Sequence, residues 1–214
     1  MGFTRLLTSL LAISGSVLAQ SSTSYTDPDN GITFQGYTDT TTNVTYGFVF
    51  PSGSDSDDEF IGEIISPVAN QWVGICLGGT MLDNLLLVTW PYGDSVVYSP
   101  RYATSYSLPA LYAGPTITAL PSTTVNDTYW KFVYRCQNCT TWTGGSIDLT
   151  STNSTLAWAL STVAVDDPSD PDSAFAKHTD GSCHCNPFRS SAYQCSHRWC
   201  ILRELLRCPE RVLL

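Results

Sequence analysis

The chain has 214 residues, of which 43% are hydrophobic, 12% aromatic and 14% charged, and a formal net charge of −9 at pH 7. That length holds one domain with a core of its own, and the acidic balance argues against nucleic acid and anionic membrane as partners. The charge is uneven: between Gln20 and Ala176 only Arg101, Lys131 and Arg135 stand against 16 Asp and Glu, whereas from Lys177 onward six basic residues face Asp180, Glu204 and Glu210.

Residues 1–19 carry one positive charge, Arg5, then an apolar run from Leu6 to Val17, with Val17 and Ala19 at the small-residue positions before Gln20. This is the pattern of a secretory signal peptide, so the mature chain is expected to begin at Gln20 and to be extracellular. No later segment offers the roughly 18 consecutive apolar residues of a membrane span. Asn43, Asn126, Asn138 and Asn153 each open an Asn-x-Ser/Thr sequon, which fits a glycoprotein of a eukaryotic secretory pathway.

From about residue 24 to 180 short apolar runs alternate with turn signals: YGFVFPSG, EFIGEIISP, WVGICLGG, NLLLVTWPYG, SVVYSP, YWKFVYRC and LAWALSTVAV. They are rich in β-branched and aromatic residues, and Gly, Pro, Asn and Asp punctuate them at intervals of about ten residues. No window holds a helical period, so the expected fold is all-β, an antiparallel β-sandwich. SGSDSDDE (52–59) reads as a solvated acidic loop, and VDDPSDPDSAF as a turn-rich loop leading to His178. The acids fall in loops with no pair singled out, which makes a glycosidase, with its two facing carboxylates, a poor reading.

Three features could carry chemistry. Cys136 and Cys139 form a Cys-x-x-Cys pair, whose readings are a structural bridge, a redox disulfide, half a zinc site or covalent haem attachment. The last needs histidine after the second cysteine, where Thr140 stands; an oxidising compartment puts the structural bridge first. Met81, just past a Gly-Gly pair, is the only methionine beside the initiator, and His178 is the only histidine before the tail. Each is unremarkable alone, a core filler and a surface imidazole, yet thioether with imidazole is an axial pair for haem iron. Trp72, Trp90, Trp130 and Trp158 lie in strand-like runs and read as core, which weakens the rival reading of a carbohydrate-binding β-sandwich without haem.

The segments WVGICLGGTMLDNLLLVTWP, RYATSYSLP, GPTITALPS, TYWKFVYRCQNCTTWTGGSIDL and LAWALSTVAVDDPSDPDSAFAKHTD together resemble the cytochrome domain of fungal cellobiose dehydrogenases, also called the cellobiose dehydrogenase-like iron reductase domain. The resemblance covers about residues 24 to 180. It implies an immunoglobulin-like sandwich holding one non-covalent haem b, with Met81 and His178 as axial iron ligands. It further implies Tyr106 beside a haem propionate and a disulfide between Cys136 and Cys139; Cys76 carries no family role and reads as a buried thiol. The implied function is single-electron transfer with no catalytic centre in the domain itself. Electrons would pass from a flavin dehydrogenase to lytic polysaccharide monooxygenases in cellulose degradation.

The cytochrome domain is thus expected over residues 20–182. Residues 183–214 form an irregular, basic tail with five cysteines between Cys183 and Cys208 and, at most, a short helix over 199–207 stopped by Pro209. The family's final strand after the histidine is expected to be missing. The tail fits a translated intron or shifted frame, a small cysteine-rich appendage, or a zinc site drawn from Cys183, His184, Cys185, Cys195, His197 and Cys200.

Overall fold

The computed structural model describes residues 22–51, 58–149 and 153–187. The proposed signal peptide and residues 188–214 of the tail, with Cys195, His197 and Cys200, lie outside them. In chain order the strands are β1 (Thr23–Thr26), β2 (Thr33–Asp39), β3 (Val44–Val49), β4 (Glu59–Pro67), β5 (Trp72–Cys76), β6 (Leu85–Tyr92), β7 (Ser95–Tyr102) and β8 (Ala110–Leu111). They continue as β9 (Thr116–Ala119), β10 (Thr124–Val125), β11 (Tyr129–Gln137), β12 (Thr141–Trp142), β13 (Gly145–Ser146), β14 (Asn153–Ser161) and β15 (Asp180–Pro187). Each expected run falls on a strand; β2, continuous through Gly36, is among the strands that no expected run marks.

One sheet runs β1-β2-β3-β4-β11-β10, with β9 also on β11, and the other β15-β14-β5-β6-β7-β8. All these pairings are antiparallel. The two pack face to face because alternate residues of each strand are apolar and point the same way. Tyr46, Phe60, Ile64, Trp130, Phe132 and Tyr134 from the first sheet meet Val73, Ile75, Leu85, Leu87, Leu156, Trp158 and Leu160 from the second in one buried core. Burying such side chains contributes about 1.5–3 kcal/mol each before entropy is counted. The Cys136–Cys139 disulfide closes the turn after β11, its Cα atoms 5.7 Å apart, with Asn138 at φ 56° between them.

The second sheet departs from the usual sandwich in being apolar on both faces. Trp72, Cys76, Leu86, Val88, Trp90 and Ala157, the residues interleaved with its core positions, form a second buried cluster on the outer face. The continuous run LLLVTW in β6 reflects this, since a strand covered on both sides has no polar alternation.

Two expectations are corrected. Acids are not confined to loops: Glu59 and Glu63 lie in β4, 5% and 0% exposed, and Glu59 pairs with Arg135. The end of the expected solvated loop is likewise engaged, as Asp58 accepts from Thr140 N at 2.6 Å. Nor is the strand after His178 missing, for β15 pairs with β14 from Asp180↔Leu160 to Pro187↔Asn153. A strand edge recruits backbone N–H and C=O whatever the side chains, so the lack of alternation in DGSCHCNP did not reveal it.

Candidate functional site

The site is built on the outer face of the second sheet. In β5 and β14 that face carries small residues in register, Cys76↔Ala157 and Gly74↔Ala159, extended by Gly181 opposite Ala159. A Cβ on Gly74 would meet nothing closer than 3.6 Å. The stripe is bordered by Leu86, Val88 and Ala103. A flat apolar group finds here a floor without projecting side chains.

Met81 stands at one end of the stripe, in the connection between β5 and β6. Gly79 has φ +80°, and a Cβ there would lie 2.5 Å from Thr155 Cγ2; one on Gly78 would lie 1.6 Å from Asn84 Oδ1. The Gly-Gly pair therefore lets the turn close on β14 and on the Asn84 amide. Asn84 Nδ2 in turn donates to Thr80 O at 3.1 Å and to Leu82 O at 3.0 Å, bracketing Met81. The Cys76 thiol also donates to Thr80 O. Met81 is half-buried and packs on the outer apolar cluster.

His178 enters from the other end. The chain leaves β14 at Ser161, crosses the outer face as the expected turn-rich loop, and returns where Thr179 N donates to Leu160 O at 2.8 Å. Cys76, which precedes the methionine turn, is opposite Ala157, and Asp180, two residues past the histidine, is opposite Leu160. The two anchors are thus three residues of strand apart, about 10 Å. His178 is exposed. Partial desolvation and the Lys177 ammonium hold its imidazole below the usual histidine range, against Asp180, favouring the neutral form that binds metals.

Tyr106 lies on the connection between β7 and β8 and is 81% exposed. That connection is joined to the methionine turn by the Leu82↔Ala103 bridge and by Asp83 N donating to Ala103 O at 2.9 Å. Three separate connections carrying Met81, Tyr106 and His178 thus border one face of one sheet. The donor set, one thioether and one imidazole beside an apolar floor, fits a haem.

Among the other expected positions, Asn43, Asn126 and Asn138 are exposed, while Asn153 opens β14. Trp72, Trp90, Trp130, Trp142 and Trp158 are all buried, so none of the described tryptophans offers a sugar-stacking platform. Asn84 and Arg101 were missed. Arg101 did carry a signal: it is one of three basic residues in an acidic body, directly after the strand-like run SVVYSP.

Comparison with known proteins agrees with this architecture. Residues 25–193 match the family described as the cytochrome domain of cellobiose dehydrogenase. A pyrroloquinoline quinone-dependent pyranose dehydrogenase of Coprinopsis cinerea is 41% identical over 163 residues, 74% of this chain and 22% of that protein. The chain therefore spans about a fifth of the length of that relative. Among solved structures, the cytochrome b domain of pyranose dehydrogenase from Coprinopsis cinerea superposes with a TM-score of 0.74 at 39% identity, covering 77% of this chain and 87% of that one. The cytochrome domain of Myriococcum thermophilum cellobiose dehydrogenase gives 0.67 at 32%, covering 78% and 86%. With a match over most of its length and an agreeing sandwich, the chain belongs to the family of the cytochrome domain of cellobiose dehydrogenase, a family of haem-binding electron carriers.

Proposed function

We propose that this chain is a secreted b-type cytochrome in which Met81 and His178 would hold the haem iron and Tyr106 would hydrogen-bond a propionate. The observation that carries the reading is the small-residue stripe of β5 and β14 with a braced methionine turn at one end and a histidine loop at the other. The bound group would supply a one-electron couple, and a thioether opposite an imidazole raises its potential. Two protein ligands leave no open position for oxygen or substrate, so the domain relays electrons rather than transforming a molecule. The apolar floor excludes water from the iron, and the Asn84 bracket keeps the thioether aimed at one point.

In this role the domain accepts electrons from a dehydrogenase domain, of flavin or quinone type, and passes them to lytic polysaccharide monooxygenases during cellulose degradation. The dehydrogenase source is supported by the relatives, which are themselves dehydrogenases by name; the acceptor follows the family resemblance. Sequons at Asn43, Asn126, Asn138 and Asn153 are the proposed glycan sites.

The test is an optical spectrum of the protein expressed with haem, oxidised and then reduced with dithionite. A six-coordinate low-spin spectrum with sharp reduced bands is expected, lost in both Met81→Ala and His178→Ala. A high-spin wild type, or variants that keep the spectrum, would overturn the ligand assignment.

A further inference from the structure

The histidine loop is long, running from residue 162 to 179 between β14 and β15 without a strand. A connection of that length holds one geometry only if something fixes it. This one is braced within itself, Asp166 N donating to Ala174 O at 2.9 Å and Asp167 N to Ser173 Oγ at 2.7 Å, and is fixed to the sheet by a set of side-chain donors rising from β6 and β7 beneath it. Trp90 Nε1 donates to Pro168 O at 2.9 Å, Ser99 Oγ to Pro171 O at 2.6 Å, and Arg101 Nη2 to Pro171 O and Ser173 O, both at 2.8 Å.

Arg101 is the centre of the set. It is 2% exposed, and its ion-pair partner, Asp172 at 3.4 Å, has a side chain that is 63% exposed. The cation is therefore solvated mainly by uncharged oxygens. Besides the loop carbonyls it reaches Ser99 Oγ through Nε at 2.6 Å and Pro109 O through Nη1 at 3.1 Å. The Phe175 ring lies 5.4 Å from the guanidinium carbon and 5.0 Å from Trp72, bringing the loop back toward the sheet three residues before His178. Pro109 belongs to the connection that carries Tyr106. One planar group with five donors thus ties together the two connections that bring His178 and Tyr106 to the site.

From this geometry we infer that Arg101 is a positioning residue: its guanidinium fixes the histidine loop, and through it the imidazole, by hydrogen bonds to backbone carbonyls. Lysine keeps the charge but not the planar fork, so it restores the function only in part. The inference rests on the ligation proposed for His178, but the clamp itself is a property of the polypeptide and is tested separately.

Arg101→Met and Arg101→Lys are compared with the wild type in two measurements. In the haem-loaded protein, Arg101→Met, which removes four hydrogen bonds, is expected to bind carbon monoxide at least about tenfold more readily in the reduced state, the equivalent of one such bond from a charged group, with Arg101→Lys between it and the wild type. In the haem-free protein, amide hydrogen exchange over residues 166–177 is expected to quicken about tenfold for the same reason, while the methionine turn at 78–84 keeps its rate. Carbon monoxide binding and loop exchange both unchanged in a folded Arg101→Met would overturn the inference, as would quickening spread evenly over the histidine loop and the methionine turn. If the wild type lacks the His178–Met81 spectrum, the ligation reading fails while the exchange measurement still judges the clamp. If Arg101→Met does not fold, Ser99→Ala, which removes the hydroxyl between Arg101 and Pro171, is judged by the same readings.

Discussion

Among the described residues two cations, Arg101 and Lys131, are buried, on the outer faces of opposite sheets, and they keep different company. Arg101, on the side of the proposed haem site, is met by the carbonyls of Pro109, Pro171 and Ser173. Lys131, on the first sheet, donates to both carboxylate oxygens of Asp27, at 3.2 and 3.1 Å, and to Asp29. Burial pulls the Lys131 ammonium down, but the hydrogen bonds to Asp29 and Asp27 outweigh it and hold it above its ordinary value. Beside this cluster Glu63, fully buried, accepts from Tyr25 Oη at 2.7 Å, and its second oxygen has no hydrogen-bond partner among the described residues. The contrast separates two tasks. Carbonyls do not titrate, so these hydrogen bonds from Arg101 to the histidine loop do not change with pH, and the one carboxylate it meets, Asp172, is largely exposed; the far sheet is held by groups whose charge, and hence stability, varies with the medium.

The largest effect is expected from Lys131→Met, which leaves Asp27 buried without its cation. Breaking a buried pair from one side costs about 3–5 kcal/mol, read by urea denaturation, and the haem spectrum should not change. A spectral change in this variant would break the separation of the two regions.

Glu63→Gln sharpens it. Burial pushes the Glu63 carboxyl from its ordinary 4.5 up to about 7. A raised acid holds its proton more tightly in the folded state, so its contribution is fully present below about pH 4.5 and is lost as pH rises through about 7. The variant should match the wild type at pH 4 and exceed it at pH 8 by up to about 3 kcal/mol before solvent screening, in parallel denaturation curves. Equal curves at both pH values would place the pH dependence elsewhere.

The smallest effect is expected on the haem side. Asn84→Ala removes the amide that brackets Met81 and should lower stability by about 1 kcal/mol while measurably speeding haem loss to a haem scavenger. Unchanged haem retention would mean that the Gly-Gly turn and Thr155 suffice to hold the thioether.

Much of this was legible in the sequence, for reasons tied to particular residues. LLLVTW and WVGIC read as strands because they are short, apolar and rich in β-branched residues; that they are covered on both faces emerged from the structure and accounts for their lack of polar alternation. Met81 and His178 stood out by being single, and the surrounding segments carried the resemblance that the comparisons bear out for the family. The clamp was not legible: Arg101 meets Pro171 and Ser173 across 70 and 72 residues, and its partners are carbonyls, which every residue has. Glu63 was hidden because a carboxylate in EFIGEIISP looks like the polar face of a strand. In the structure that face is covered by Tyr25, Ile32 and Leu120, packed on Phe34, Val49, Ile61 and Val133.

The edge of β14 has a consequence for change over time. Thr179 and Asp180 meet Leu160 before the composition shifts at Cys183, so the histidine loop is moored by residues of the acidic body. Beyond that point the backbone ladder continues along this edge to Pro187. Sequence exchanged downstream of residue 182 therefore meets a sheet that has already placed the histidine, which makes this junction permissive to replacement of the C-terminal segment.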